Sequence, residues 1–99
     1  MNANELHEFL TGSLNLVAEP VANQVARTYF YQRVEWHPRH STRVFRVIFG
    51  ANGDVSRIQL CATSDNNTAL VSPPFDAQQL ITLANVEITK LNERLAAAG

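Results

Sequence analysis

The chain has 99 residues, of which 45% are apolar, with a net charge of −1 and one cysteine. A chain of this length folds as a single domain over 1–99 and buries roughly two thirds of its unfolded surface, so neither a disulfide nor a structural metal is needed. Its apolar runs fall far short of the ~20 residues that cross a bilayer. Polar residues follow Met1 and Cys61 has no pairing partner, so we expect no signal peptide and a cytoplasmic location.

The N-terminal segment predicts a helix over about 3–17. Asn2 can act as its cap, with Glu5 three residues later as in a capping box. Apolar residues then recur at spacings of three and four. The pair Glu19-Pro20 predicts the helix end, because the residue before a proline avoids the helical region.

The segment RTYFYQRVEW alternates between two sets of side chains, which predicts a strand over about 25–37. We expect a four-residue loop over 38–41 to return the chain into a second strand over about 42–51. This register places Val34 opposite Phe45 on the inner face.

Two short turns predict the remaining strands. Asn52-Gly53 is a strong hairpin signal, because a type I′ turn requires positive φ at both central residues. It connects to a strand over about 54–63 and places Phe45 opposite Leu60. A second turn at Asn66-Asn67 predicts a short fourth strand over about 68–71, with Val71 opposite Ala62. The inner face then carries the predicted sheet core: Phe30, Val34, Phe45, Val47, Phe49, Ile58 and Leu60.

The C-terminal segment predicts a second helix over about 77–97. Asp76 can cap it, with Gln79 three residues later. One apolar stripe follows at helical spacing: Leu80, Ala84, Ile88, Leu91 and Leu95. The sequence therefore predicts an α+β fold of two layers, in which a helix, a four-stranded antiparallel meander and a second helix follow in order and both helices cover one face of the sheet.

The pair His37 and His40 is the most conspicuous candidate for chemistry. A structural zinc site has four protein ligands and a catalytic one has three plus water, and the expected positions of Glu35, Cys61 and His7 do not supply the ligands that are missing. We therefore interpret these histidines as part of a polar hairpin loop and predict neither a metal nor a cofactor.

Catalysis has no support in the sequence. The chain contains no G-x-S-x-G, P-loop, H-E-x-x-H or dinucleotide-binding glycine motif, and Cys61 on a strand lacks a base within reach. We predict that the protein is not an enzyme and that it has no catalytic residues.

The outer face of the predicted sheet is the candidate binding surface. Residues 24–63 contain six arginines and no lysine, and tyrosine and arginine are enriched at recognition sites. The predicted binding residues are Arg27, Tyr29, Tyr31, Arg33, Arg46, Ile48, Arg57 and Gln59. The same residue types also suit a half-exposed strand without any partner.

These observations favour a small non-enzymatic protein-binding module, of the adaptor, chaperone, immunity or inhibitor type. The alternative is a nucleic-acid-binding protein that uses the same basic, tyrosine-bearing face; the pI of about 6.3 and the lack of lysine in the basic segment speak against it. A homodimer is a further hypothesis, through an exposed strand edge over 24–36 or through Leu83 and Val86 on the second helix.

Overall fold

The fold is an antiparallel meander flanked by a helix at each end of the sequence. The computed structural model describes residues 1–22, 27–35, 37, 40–49, 58–63, 69–71 and 74–97. The elements are α1 (Ala3–Glu8), a π-helical segment (Phe9–Ser13), β1 (Val17–Pro20), β2 (Arg27–Gln32), β3 (Arg43–Phe49), β4 (Gln59–Ala62), β5 (Ala69–Val71) and α2 (Ala77–Ala97). The strands lie in sequential order, β1 to β5, in one sheet. The predicted α+β class and the antiparallel meander are confirmed.

Local capping signals begin both helices where the sequence predicted. The Asn2 side chain accepts a hydrogen bond from the Glu5 backbone N–H at 2.8 Å, and the Glu5 carboxylate accepts one from Asn2 N–H at 3.2 Å. Asp76 accepts a hydrogen bond from the Gln79 backbone N–H at 3.2 Å at the start of α2. These bonds satisfy amide groups that a helix N-terminus otherwise leaves unpaired.

The first helix ends earlier than predicted. After the π-helical segment, Asn15 adopts a φ of 54°, a left-handed conformation that asparagine tolerates better than most residues. This turn brings the Leu16 N–H within 3.0 Å of the Leu10 carbonyl oxygen, to which it donates. The predicted extent of 3–17 is therefore wrong, because Asn15 turns the chain before the Glu19-Pro20 pair is reached.

The residues after this turn form a fifth strand that the sequence analysis did not predict. β1 pairs antiparallel with β2, with Ala18 opposite Tyr31. Pro20 is compatible with this position because an edge strand leaves one row of backbone groups unpaired. β2 lies between β1 and β3, so the prediction of an exposed edge over 24–36 is wrong. The edge strands of the described sheet are β1 and β5.

The pairing of β2 with β3 differs from the predicted register by an odd number of residues. Tyr31, rather than Val34, lies opposite Phe45, and Phe30 lies opposite Arg46. Because side chains alternate between faces, a shift of three residues exchanges the two faces of β2. Tyr31 is consequently buried in the core, whereas Val34 is 57% exposed.

Two local features produce this odd shift. The Arg33 N–H donates to the Thr42 carbonyl oxygen at 2.9 Å, so the connection is longer than the predicted loop closed by His37. This longer connection alone would shift the pairing of β2 with β3 by four residues. Because four is an even number, each side chain of β2 would stay on its predicted face. The irregularity beyond Tyr31 then leaves Val44 without a partner on β2, as in a β-bulge, and that one extra residue reverses the alternation.

The pairing of β3 with β4 is shifted by an even number of residues. Phe45 lies opposite Ala62 and Val47 opposite Leu60, so the predicted pair of Phe45 and Leu60 is displaced by two positions. The faces are preserved, and both Phe45 and Leu60 are fully buried. β5 confirms the short last strand, although Val71 lies opposite Leu60 rather than Ala62. The predicted turns at Asn52-Gly53 and Asn66-Asn67 lie outside the described residues.

One hydrophobic cluster joins the sheet to both helices. It contains Leu6, Leu10, Leu16, Tyr31, Val44, Phe45, Val47, Phe49, Ile58, Leu60, Phe75, Leu80, Ala84 and Leu91. Ile88 and Leu95 pack against it, which completes the predicted stripe of α2. Glu87 is also buried on this helix, with its carboxylate 3.5 Å from the Lys90 ammonium. That both helices lie on one face of the sheet stays a prediction. Neither helix in the described part of the chain has the combination of length and apolar character needed to span a membrane.

Candidate functional site

The predicted binding residues are divided between two faces of the sheet. The register of β2 puts one group on the face that carries the core: Arg27, Tyr29 and Tyr31. The register of β3 and β4 puts the second group on the opposite, outer face: Arg46, Ile48 and Gln59. Arg33 follows β2, and Arg57 lies outside the described residues. The prediction of one continuous surface is therefore wrong for the β2 residues.

Tyr31 is a core residue rather than a surface residue. Its side chain is fully buried, and its hydroxyl oxygen lies 2.9 Å from Nδ1 of His7 on α1. Burial and, to a smaller extent, the neighbouring Tyr29 raise the pKa of Tyr31 above its ordinary value, while Arg27 opposes that shift. The hydroxyl is thus kept in its neutral form and paired with the imidazole. This arrangement satisfies a polar group that is costly to bury alone.

Tyr29 belongs to the same aromatic group. Its ring lies 5.6 Å from the His7 ring and 5.8 Å from the Phe49 ring, the latter in an edge-to-face arrangement. The Arg27 guanidinium lies 5.4 Å from the Tyr29 ring centre and 5.1 Å from that of Phe49, within the range of cation–π attraction. We name His7, Arg27, Tyr29, Tyr31 and Phe49 the inner aromatic cluster. Its contacts join α1 to β2 and β3.

Arg33 is engaged within the molecule as well. Its Nε donates to the Glu35 carboxylate at 3.1 Å, and a terminal nitrogen donates to the Asn92 side-chain oxygen on α2. Hydrogen bonds from its own backbone N–H and from Arg33 lower the pKa of the Glu35 carboxyl. Arg33 therefore connects the end of β2 to α2.

The outer face presents a row of side chains that spans β1, β2 and β3. Glu19 lies opposite Phe30, and the guanidinium of Arg43 lies 3.9 Å from the Phe30 ring centre. A terminal nitrogen of Arg43 also donates to the Glu19 carboxylate at 2.7 Å. The bulge at Val44 makes this geometry possible, because it pairs Arg43 with Gln32 and so turns Arg43 to the same side as Phe30.

The row continues onto β3 and β4. We name the outer-face patch after six residues: Glu19, Phe30, Arg43, Arg46, Ile48 and Gln59. Gln59 is exposed and the other five are half-buried. The patch therefore combines one aromatic ring, one aliphatic side chain and two guanidinium groups on adjacent strands.

Arg46 differs from the other described arginines of the sheet. Its Nε is enclosed but has no hydrogen-bond partner, and no ion pair of Arg46 occurs among the described residues. Cys61 lies directly opposite Arg46 on β4 and is 4% exposed. Burial raises the pKa of the Cys61 thiol, and the Arg46 guanidinium opposes that shift. A thiol whose pKa is raised is a poor nucleophile.

His37 and His40 line a surface pocket where β2 ends and β3 begins. Their ring centres are 5.0 Å apart, with the planes inclined by 45°. The pocket has a volume of about 280 Å³ and is also lined by Glu19, Gln32, Ser41, Thr42 and Arg43. Within the described ranges of the chain, no group of three or more His, Cys, Asp or Glu side chains is arranged to hold a metal ion.

Sequence reasoning missed Glu19, Phe30 and Arg43. Phe30 was assigned to the inner face, and Glu19 was interpreted as the end of a helix. The proline after Glu19 was the available signal, because a short apolar run that ends in proline also fits an edge strand. No local pattern identified the contact of Arg43 with Glu19, which are 24 residues apart.

Comparison with known proteins adds no assignment. No protein-family model matches the chain, and no curated protein or solved structure matches it significantly.

Proposed function

We propose that the protein is a small non-enzymatic protein-binding module, of the adaptor, chaperone, immunity or inhibitor type, and that it binds through the outer-face patch. The observation that carries this proposal is the arrangement of Arg43 between the Phe30 ring and the Glu19 carboxylate. It supports the proposal because a side chain held in one geometry loses less entropy on binding than a free one.

The protein that binds the outer-face patch presents a carboxylate to Arg46 and an apolar side chain to Ile48. Leaving a buried N–H unpaired costs about 1–3 kcal/mol, and more for a charged group. A carboxylate that drew the guanidinium outward could accept hydrogen bonds from Nε and a terminal nitrogen together, and so remove that cost. Arg43 is already paired with Glu19, so Arg46 is the cation of the patch that lacks a carboxylate among the described residues.

The same contacts weigh against the nucleic-acid alternative. In that alternative, bases would stack on the rings of Tyr29 and Tyr31, but both tyrosines belong to the inner aromatic cluster, and Tyr31 is fully buried. The Phe30 ring is covered on one side by Arg43. Phosphate binding requires unpaired cations along a groove, but Arg33 and Arg43 have carboxylate partners. Arg27 and Arg46 lie on opposite faces of the sheet and so cannot follow one groove.

A cytoplasmic location and a possible homodimer are parts of the same proposal. The single, buried thiol of Cys61 is compatible with a reducing compartment. Val86 is 45% exposed on α2 and is available for self-association, whereas Leu83 packs against the core.

Site-specific photocrosslinking tests the proposal. A photoreactive residue replaces Gln59, which is exposed on the patch, or Gln78, which is exposed on α2 and serves as the matched control. We expect a discrete crosslinked protein in cell extract from position 59 and not from position 78. Introducing Arg46→Lys should abolish that product, because lysine cannot reproduce the planar fork of arginine, whereas Arg33→Lys should retain it.

Three results would contradict the proposal. They are equal crosslinking from both positions, a product that is insensitive to Arg46→Lys, and tight binding of a fluorescent oligonucleotide to the wild-type protein at physiological salt. The last of these would support the nucleic-acid alternative, because phosphate contacts normally weaken steeply as salt rises.

A further inference from the structure

His37 and His40 play no part in the proposed protein contact, yet their rings are close together. In a zinc site each nitrogen lies about 2.1 Å from the metal and about 1 Å from its own ring centre, so two rings on adjacent tetrahedral positions have centres about 5 Å apart. The observed separation is 5.0 Å. This spacing matches that of two neighbouring ligands of one ion.

The surroundings suit a cation that is only partly held by protein. Polar residues also line the pocket that both imidazoles line: Glu19, Gln32 and Ser41. Arg43 is the opposing charge, but its guanidinium lies 2.7 Å from the Glu19 carboxylate, which balances it. His37 is half-buried and His40 is exposed, so solvent can reach the pair.

We propose that His37 and His40 form a two-imidazole half-site for a borderline transition-metal cation of the Zn²⁺ class. The imidazole nitrogens occupy two positions, and water fills the positions that remain open. Imidazole ligands suit zinc, copper and nickel better than calcium or magnesium, which prefer oxygen. The pocket shares Glu19 and Arg43 with the outer-face patch, but both imidazole ligands lie outside the patch, and metal binding does not require that the patch bind a partner.

Calorimetric titration of ZnCl₂ into metal-stripped protein that carries no affinity tag tests the site. We expect one Zn²⁺ per chain, with at least a tenfold loss of affinity, about 1.4 kcal/mol, in each of His37→Ala and His40→Ala. His7→Gln is the matched control, because it removes the third histidine of the chain while glutamine can still bond to the Tyr31 hydroxyl. Its affinity should be unchanged.

Two further readouts separate ligation from indirect effects. In NMR spectra of the three histidines, Zn²⁺ should shift the imidazole signals of His37 and His40 and leave those of His7 unchanged. Ligating imidazoles must be neutral, so binding should weaken as the pH falls from about 8 to about 5.5.

Several outcomes would overturn the proposal. They include no detectable Zn²⁺ binding, binding that survives both alanine substitutions, and equal loss in the His7→Gln control. Binding that is retained in His37→Ala but lost in Cys61→Ser would place the ion at the thiol instead.

Discussion

Phe30 and Tyr31 are neighbours on β2, yet they belong to two regions that are stabilised by different interactions. Tyr31 is fully buried in the inner aromatic cluster, with its hydroxyl paired to His7. Phe30 is half-buried in the outer-face patch, beneath a guanidinium that a carboxylate also holds. The first region depends on burial, which salt hardly affects, while the second depends on exposed charges, which salt screens. A single bulged residue, Val44, determines which ring enters which region.

The largest expected effect distinguishes these two rings by their contribution to stability. Tyr31→Ala should lower the free energy of unfolding by about 3–5 kcal/mol, because it leaves a cavity in the core and an unpaired imidazole. Phe30→Ala should lower it by about 1–2 kcal/mol, because that ring is only half-buried. Urea denaturation followed by circular dichroism measures both values. The reverse ranking would mean that the faces of β2 are assigned incorrectly.

How far the sequence predicted this fold depends on the range of each signal. Short-range signals performed best: the Asn2 and Asp76 caps and the stripe of α2 each depend on contacts within a few residues of one another. The even shift between β3 and β4 did not matter, because alternation kept Phe45 and Leu60 on the buried face. Local sequence patterns therefore predicted the fold class correctly.

The candidate site was predicted less well, because it depends on a register that no local signal determines. Both faces of β2 contain aromatic residues, so hydrophobic alternation could not choose between Phe30 and Tyr31. A bulge such as that at Val44 has no distinctive sequence in this chain. The contact of Glu19 with Arg43 also required β1, whose residues had been interpreted as the end of the first helix and the segment that follows it. Arg46, Ile48 and Gln59 were identified as outer-face residues of β3 and β4, whereas Arg43 on β3, Glu19 on β1 and Phe30 on β2 were not.

The second prediction concerns alkaline pH and tests the inner aromatic cluster alone. Because the pKa of Tyr31 is raised in the folded protein, the folded state holds this proton more tightly than the unfolded state does. The resulting stability is complete below the ordinary tyrosine pKa of about 10 and is lost as the pH rises above it, by up to about 1.4 kcal/mol per pH unit. Tyr31→Phe should flatten this dependence.

The measurement is urea denaturation between about pH 8 and about pH 11. A Cys61→Ser background is used because burial also raises the pKa of the thiol, which would add a loss of stability in the same direction at lower pH. Tyr29→Phe is the matched control, since it removes a hydroxyl from the half-buried neighbouring ring, and it should retain the alkaline loss. If Tyr31→Phe retains that loss too, Tyr31 is not buried as a neutral phenol.

The smallest expected effect concerns the pair of Glu19 and Arg43 in the outer-face patch. Both side chains are more than one third exposed, and exposed ion pairs contribute only about 0.2–1 kcal/mol. Glu19→Gln should therefore lower the free energy of unfolding by less than about 1 kcal/mol at low ionic strength, and the difference from wild type should shrink in about 1 M NaCl, where charges are screened within ~3 Å.

Glu35→Gln is the matched control, because the Glu35 carboxylate is 71% exposed, and its effect should be near zero under both conditions. Tyr31→Ala should by contrast show the same loss at both salt concentrations, because burial rather than charge stabilises that side chain. A salt-insensitive loss in Glu19→Gln would show that packing holds Arg43 over Phe30 without the carboxylate, and the patch would then resemble the inner aromatic cluster more closely than its exposure indicates.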